Sequence, residues 1–370
     1  MSRATAESRW HWTSIAPVLA LVVLAGTFTT KPPALVLGLV AIVLVAAVLA
    51  AVHHAEVVAH RVGEPFGSLI LAVAVTVIEV ALIVTLMLTG PEDTSTLARD
   101  TVFAAVMISV NGIVGISLVV SALKKRGLAE FNAEGAGSAL ATVLTLATLT
   151  LVLPRFTTSE AGPEFSGGQL AFAALASLAI YAMFVFTQTV RHRDFFLPVE
   201  QGHGGLPDED ADGHADPPST RTALVSLALL LVALVSVVGL AKVESPAIED
   251  AVAAVGFPHA VVGVVIALLV LLPESISAVR SAARHRVQTS LNLAYGSAMA
   301  SIGLTIPTLA VASIWLDGPL ELGLGETELV LLLSSMVVGV LTVVPGRSKP
   351  LNGGLHLVIL AAYIFMTISP

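Results

Sequence analysis

The sequence predicts an all-α polytopic membrane protein with eleven transmembrane helices, one leading helix plus two inverted five-helix repeats. Three observations predict it. Of 370 residues, 56% are hydrophobic and only 12% are charged, against about a quarter charged in soluble domains. Apolar runs close to the ~20 residues that cross a bilayer as a helix recur eleven times along the chain. Two of those runs each enclose one glutamate, in the same setting twice. No strand-length alternation recurs, which argues against a β-barrel.

The first run is 14–29. Arg3 and Arg9 precede it and no clean small-residue cleavage pattern comes after it, so it reads as a helix and not a removed signal peptide. Runs at 33–52, 66–89, 101–122, 137–153 and 169–190 come next. The segment 192–220 breaks the pattern with Gly, Pro and the acidic run Pro207-Asp208-Glu209-Asp210-Ala211-Asp212. Such a stretch buries too little apolar surface to fold alone, which predicts a flexible acidic linker. Runs at 222–241, 257–279, 289–315, 327–344 and 354–369 complete the chain. The expected organisation is a leading helix (1–30), a first repeat (31–191), the linker (192–220) and a second repeat (221–370).

Loop charge sets the expected orientation. With the N-terminus inside, 14 of the 18 Lys and Arg fall on the cytoplasmic side, and only Lys31, Arg99, Arg155 and Lys242 fall outside. The positive-inside rule therefore predicts a multi-pass membrane protein, N-terminus in and C-terminus out. Trp10, Trp12 and Trp315 read as interfacial anchors, and Arg280, Arg284 and Arg286 as topology signals. Five helices per half give the halves opposite directions. The helix bearing Glu79 then runs outward and the helix bearing Glu274 inward. Inverted repeats around a midplane site are a mark of secondary transporters. Gly63 and Pro65 precede Glu79 much as Gly256 and Pro258 precede Glu274.

The two glutamates are the candidate chemistry. Glu79 is the one charge in 68–89 and Glu274 the one charge in 260–279. A charge at that depth costs at least ~2.5 kcal/mol, so its default reading is an ion or proton pathway. The alternative is a protonated glutamate bonding a neighbouring helix. Thr76 lies one turn before Glu79 on the same face; its hydroxyl can ligate a cation or bond the backbone. Pro273 frees backbone carbonyls one turn earlier, next to Glu274 and Ser275. These are hard oxygen ligands, suited to Ca²⁺ or Na⁺ and not to zinc. The next helix of each half adds a neutral oxygen, Asn111 in the first and Ser297 in the second. Ser109, Ser301 and Asn292 are secondary candidates. Glu56 and His60, four apart near the end of a helix, read as a polar helix end with a gating or pH-sensing alternative.

The chain has no cysteine, which excludes disulfides, iron–sulfur chemistry and thiol catalysis. It also lacks His-Glu-x-x-His, Gly-x-Ser-x-Gly and a P-loop, so the sequence predicts no enzyme and no resident cofactor. The expected partners are the lipid bilayer, inorganic cations and protons, with no nucleic acid.

At these residues the chain resembles the calcium–cation antiporter superfamily, and within it the bacterial ChaA-type cation/proton exchangers. The first region of resemblance is Ala55-Glu56-Val57-Val58-Ala59-His60-Arg61-Val62-Gly63-Glu64-Pro65-Phe66-Gly67, with Val77-Ile78-Glu79, Arg99-Asp100-Thr101-Val102-Phe103 and Asn111-Gly112. The second is Leu272-Pro273-Glu274-Ser275 with Ser290-Leu291-Asn292-Leu293-Ala294-Tyr295-Gly296-Ser297. The resemblance implies a leading helix and two inverted five-helix halves, with Glu79 and Glu274 binding cation and protons in turn. It implies exchange of Ca²⁺, or of Na⁺ or K⁺, for H⁺. The chain departs from eukaryotic vacuolar members by carrying Val75-Thr76 in place of Gly-Asn, and Met107 in place of a serine. Fewer oxygen ligands in the first half make a monovalent Na⁺(K⁺)/H⁺ antiporter the alternative; a cation channel is the remaining one.

Overall fold

Because the outward face of nearly every run is apolar, helix ends are set by capping and turn residues and not by where hydrophobicity stops. The computed structural model describes residues 11–30, 32–63, 66–89, 94–124, 128–197, 218–315 and 318–370. It contains α1 (Trp12–Thr27), α2 (Ala34–Val62), α3 (Phe66–Thr89), α4 (Leu97–Met107), α5 (Val114–Lys124), α6 (Ala133–Ala147) and α7 (Gly167–Phe186). After the linker come α8 (Thr220–Ala254), α9 (Ala260–Ala283), α10 (Val287–Ala312), α11 (Glu326–Val343) and α12 (Pro350–Ile368). A π-helical turn, Ile108–Ile113, joins α4 to α5 in one continuous helix, so eleven helices stand where eleven apolar runs occur. Among the described residues nine are long and apolar enough to cross a membrane, and Trp12–Thr27 and Ala72–Leu88 are shorter apolar helices. The chain is an all-helical polytopic membrane protein.

Two helices outrun their apolar stretches. The run 33–52 predicted a helix end near Val52, yet α2 continues through His53, His54 and Glu56 to Val62. The run 222–241 likewise continues through Pro246 to Ala254. Both stop at a glycine in the left-handed region, Gly63 (φ 77°) and Gly256 (φ 79°), where a side chain would be strained. These are the two glycines that precede the glutamate helices. Other ends obey capping chemistry. Asn132 Oδ1 accepts from the amides of Glu134 and Gly135 to start α6, and Ser219 Oγ accepts from the Thr222 amide to start α8.

The expected linker boundary moves. Residues 193–196 form a 3₁₀ turn whose Phe196 is buried and packs edge-on against Phe184, ring centroids 5.6 Å apart. Its carbonyl accepts from Asn292 Nδ2 at 2.7 Å. Two consecutive phenylalanines anchor this turn to the bundle, so the linker begins later than residue 192. Residues 198–217, including the acidic run, lie outside the described residues, as do Trp10, Glu64, Pro65 and the basic Arg3, Arg9, Lys31, Lys125 and Arg126 used for orientation.

Buried side chains fall into two packing units. One joins α1, α2 and α8 with one face of α3 (Ala74, Val75, Ile78, Leu82) and of α9 (Val262, Ile266, Val270). The other joins α4–α7 and α10–α12 with the opposite faces of α3 (Val80, Ile83) and α9 (Val264, Ala267, Leu271). The glutamate-bearing helices therefore stand between the units. Leu35, Ile42, Leu175, Leu333 and Val358 on outer faces are each more than half exposed, as lipid-facing side chains must be.

α5 crosses α12 closely. A methyl group added to Gly353 would meet the Gly115 carbonyl oxygen at 2.7 Å, and one on Gly115 would meet the Gly353 carbonyl oxygen at 3.0 Å. Small residues here let the backbones touch. Gly353→Val should force the helices apart, costing about 1–3 kcal/mol as overpacking does; a fall in the thermal midpoint in detergent checks this.

Candidate cation site

Glu79 sits midway along α3 and is 3% exposed. An ionised carboxylate in an apolar bundle needs donors, and α10 brings them. Ser301 Oγ donates to Glu79 Oε1 at 2.5 Å. Thr305, one turn further, lies beside the same carboxylate, but its hydroxyl makes no regular hydrogen bond. Thr76 is also buried with its Oγ1 unpartnered. Thr76, Glu79, Ser297 and Ser301 are the polar lining of a small cavity of about 10 Å³, whose remaining walls come from α3, α4, α9 and α10. That volume is at the lower limit for one water molecule.

Glu274 lies on α9 immediately after Pro273, and its Oε2 is buried without a hydrogen-bond partner. It lines a second, larger cavity of about 240 Å³ with Ser297, Asn292, Gln188 and Thr289, towards the end of the bundle where α10 begins. Val75, Ser297 and Ala300 line both cavities. A wall of three side chains therefore separates the carboxylates, and Ser297 is its polar member. Glu56 is on the exposed side of α2 and lines neither cavity. His60 is exposed in the last turn of α2.

Four expected site residues thus gather around the two cavities: Glu79, Glu274, Thr76 and Ser297. Two do not. Ser275 Oγ donates to the Leu271 carbonyl at 2.7 Å and lines neither cavity, because a serine in a helix readily satisfies itself on the preceding turn. Asn111 is fully buried on the π-helical turn and faces α11 and α12. Its Nδ2 donates to Ser335 Oγ at 2.8 Å and its Oδ1 lies 3.1 Å from His356 Nδ1. His356 Nε2 in turn lies 3.2 Å from Thr342 Oγ1. Since Oδ1 can only accept, His356 Nδ1 carries the proton. The Asn111 amide is committed to this cluster and not to the glutamates.

Two residues carry more than their sequence context suggests. Ser301 is the direct partner of Glu79, and a signal existed: Ser297, Ser301 and Thr305 recur every four residues, one stripe of α10. His356, fully buried in α12, is an ionisable group inside the last apolar run.

The fold and these paired carboxylates define a transmembrane cation antiporter. The chain belongs to the sodium/calcium exchanger protein family, whose model matches residues 32–190 and 225–369. It is 44% identical over 368 residues to the putative ionic transporter y4hA of Sinorhizobium fredii strain NGR234, covering 98% of this chain and 96% of that one. It is 35% identical over 357 residues to the sodium-potassium/proton antiporter ChaA of Escherichia coli K12, covering 96% and 95%. Among solved structures the fold is similar to native YfkE (TM-score 0.70, 16% identity, 96% of this chain and 99% of that one). It is also similar to the H⁺/Ca²⁺ exchanger CAX (TM-score 0.66, 19% identity, 96% and 92%).

The two polar clusters separate by experiment. Ser301→Ala removes the donor to Glu79 and should slow exchange about tenfold or more, a charged hydrogen bond being worth about 1.5–3 kcal/mol. Asn111→Ala should instead cost about 1–3 kcal/mol of stability by orphaning His356 and Ser335, with exchange per folded molecule retained. Thermal unfolding and vesicle flux measured on both variants check the contrast.

Proposed function

We propose that this protein exchanges a metal cation for protons across the bacterial cytoplasmic membrane, with Glu79 and Glu274 holding cation and protons alternately. One observation carries the reading. A small buried cavity holds a carboxylate and an unpartnered hydroxyl, and it shares Ser297 with the cavity of a second carboxylate. Thr76, Ser297 and Ser301 supply neutral oxygens, which hard cations accept. The match of the family model in two blocks, 32–190 and 225–369, agrees with two five-helix halves on either side of a linker. Loop charge favours the N-terminus inside and the C-terminus outside.

The coupling arises from cost. An empty, doubly charged site is unfavourable to carry through a low-dielectric bundle. Loading it with cation or with protons removes that cost, so each half-cycle needs a passenger. Inward proton movement then drives cation efflux. The cation is Ca²⁺ in the first reading, which two carboxylates neutralise together and which the name of the structural relative CAX supports. A second reading, Na⁺ or K⁺, is favoured by the wall that leaves one carboxylate per cavity. The name of the relative at 35% identity supports it too.

Everted vesicles test both. Glu79→Gln and Glu274→Gln should each abolish cation-dependent proton flux while leaving the protein folded, and full transport by either variant sinks the mechanism. Comparing Ca²⁺, Na⁺ and K⁺ in one dequenching assay with the unaltered protein separates the two readings.

A further inference from the structure

A cavity of about 580 Å³ opens between the start of α1, the His53–Val57 region of α2 and the start of α8, away from both glutamates. His54 forms its floor. This residue is 3% exposed, and its Nε2 lies 2.9 Å from the Thr13 carbonyl oxygen, which only accepts. Nε2 therefore donates, and Nδ1, 3.2 Å from Ser226 Oγ, is the acceptor. One buried imidazole thus ties α1, α2 and α8 together, and both its nitrogens are used.

The groups above that floor are of one kind. His11, His53 and Arg221 line the cavity with the hydroxyls of Ser14 and Thr222, and among the described residues no carboxylate lines it. Arg221 is the fixed charge among these residues and disfavours a cation. The donor set is also short of a metal site, because only His11 and His53 keep uncommitted ring nitrogens, and no cluster suited to a metal occurs among the described residues. Arg221 offers the planar fork that matches phosphate oxygens. The rest of the lining is apolar: Trp12 and Val225 are each more than half exposed on the side of the bundle. A polar end at the helix termini and an apolar flank along the helices have the polarity of a membrane lipid. Basic pockets between transmembrane helices hold anionic headgroups in this way.

We infer that this cavity binds the phosphate of an anionic phospholipid, held by Arg221, His53 and His11, with acyl chains lying along Trp12 and Val225. The ligand fastens the leading helix to α2 and α8, which form the packing unit against which the glutamate helices rest.

Native mass spectrometry of the full chain drawn from phosphatidylglycerol-containing vesicles tests the site. The unaltered protein should retain phosphatidylglycerol, and Arg221→Gln combined with His53→Gln should reduce retention about tenfold or more. Arg280→Gln, a basic residue elsewhere, should leave it unchanged. Equal retention by the double variant and the unaltered protein overturns the inference. Displacement of the lipid by excess inorganic phosphate, in the unaltered protein alone, supports phosphate recognition at this site. Protection from thermal unfolding by inorganic phosphate with none by phosphatidylglycerol overturns the lipid as the ligand. Should the double variant fail to fold, Arg221→Gln alone carries the comparison.

Discussion

The bond from Ser301 to Glu79 is the constraint on which the site depends. A carboxylate left unpaired in such a bundle costs several kcal/mol, so α3 must lie where α10 can supply hydroxyls. That fixes α3 against the larger packing unit through Val80 and Ile83, while its other face serves α2 and α8. α9 is shared in the same manner. Both carboxylates consequently stand on the seam between two units, where small relative shifts change what surrounds them. A core built as one cluster would have no such seam.

Much of this was legible in the letters. Eleven runs became eleven helices, and the isolated Glu79 and Glu274 were visible because apolar neighbours make any charge conspicuous. Gly63 and Gly256 were visible as matching positions before the two glutamates, though not as helix stops. What the letters could not carry was azimuth across neighbouring helices. Asn111 and Ser297 sit in matching helices and looked like matching ligands, yet the π-helical turn at Ile108–Ile113 adds a residue locally and rotates the facing of the side chains beyond it. Asn111 thereby meets Ser335 and His356. Ser275 failed for a simpler reason: its backbone acceptor is one turn away and always within reach.

The cluster around Asn111 shows a second use of buried polarity. Its hydrogen bonds have a fixed direction, from His356 to Asn111 and from Asn111 to Ser335, whose own hydroxyl donates to the Leu331 carbonyl. Met107 lends its sulfur to the same cluster at 3.6 Å from Asn111 Nδ2. Fully satisfied networks of this kind rigidify and specify packing. Here the network joins α4–α5 to α11 and α12 beside the Gly115–Gly353 contact. The unit lining one side of the site is held stiff by bonds that do not involve the site.

Stiffness on one side bears on how the wall between the carboxylates can open. Val75 belongs to α3, and Ser297 and Ala300 to α10. Opening it requires α3 to move against α10, which breaks or lengthens the Ser301–Glu79 bond unless something replaces that donor. A cation or a proton on Glu79 is such a replacement. Under the proposed function, the bond that seats the carboxylate would oppose movement of the empty site and yield when a passenger arrives. Under that function, the hydrogen bond that offsets the cost of burying Glu79 would also couple movement to loading.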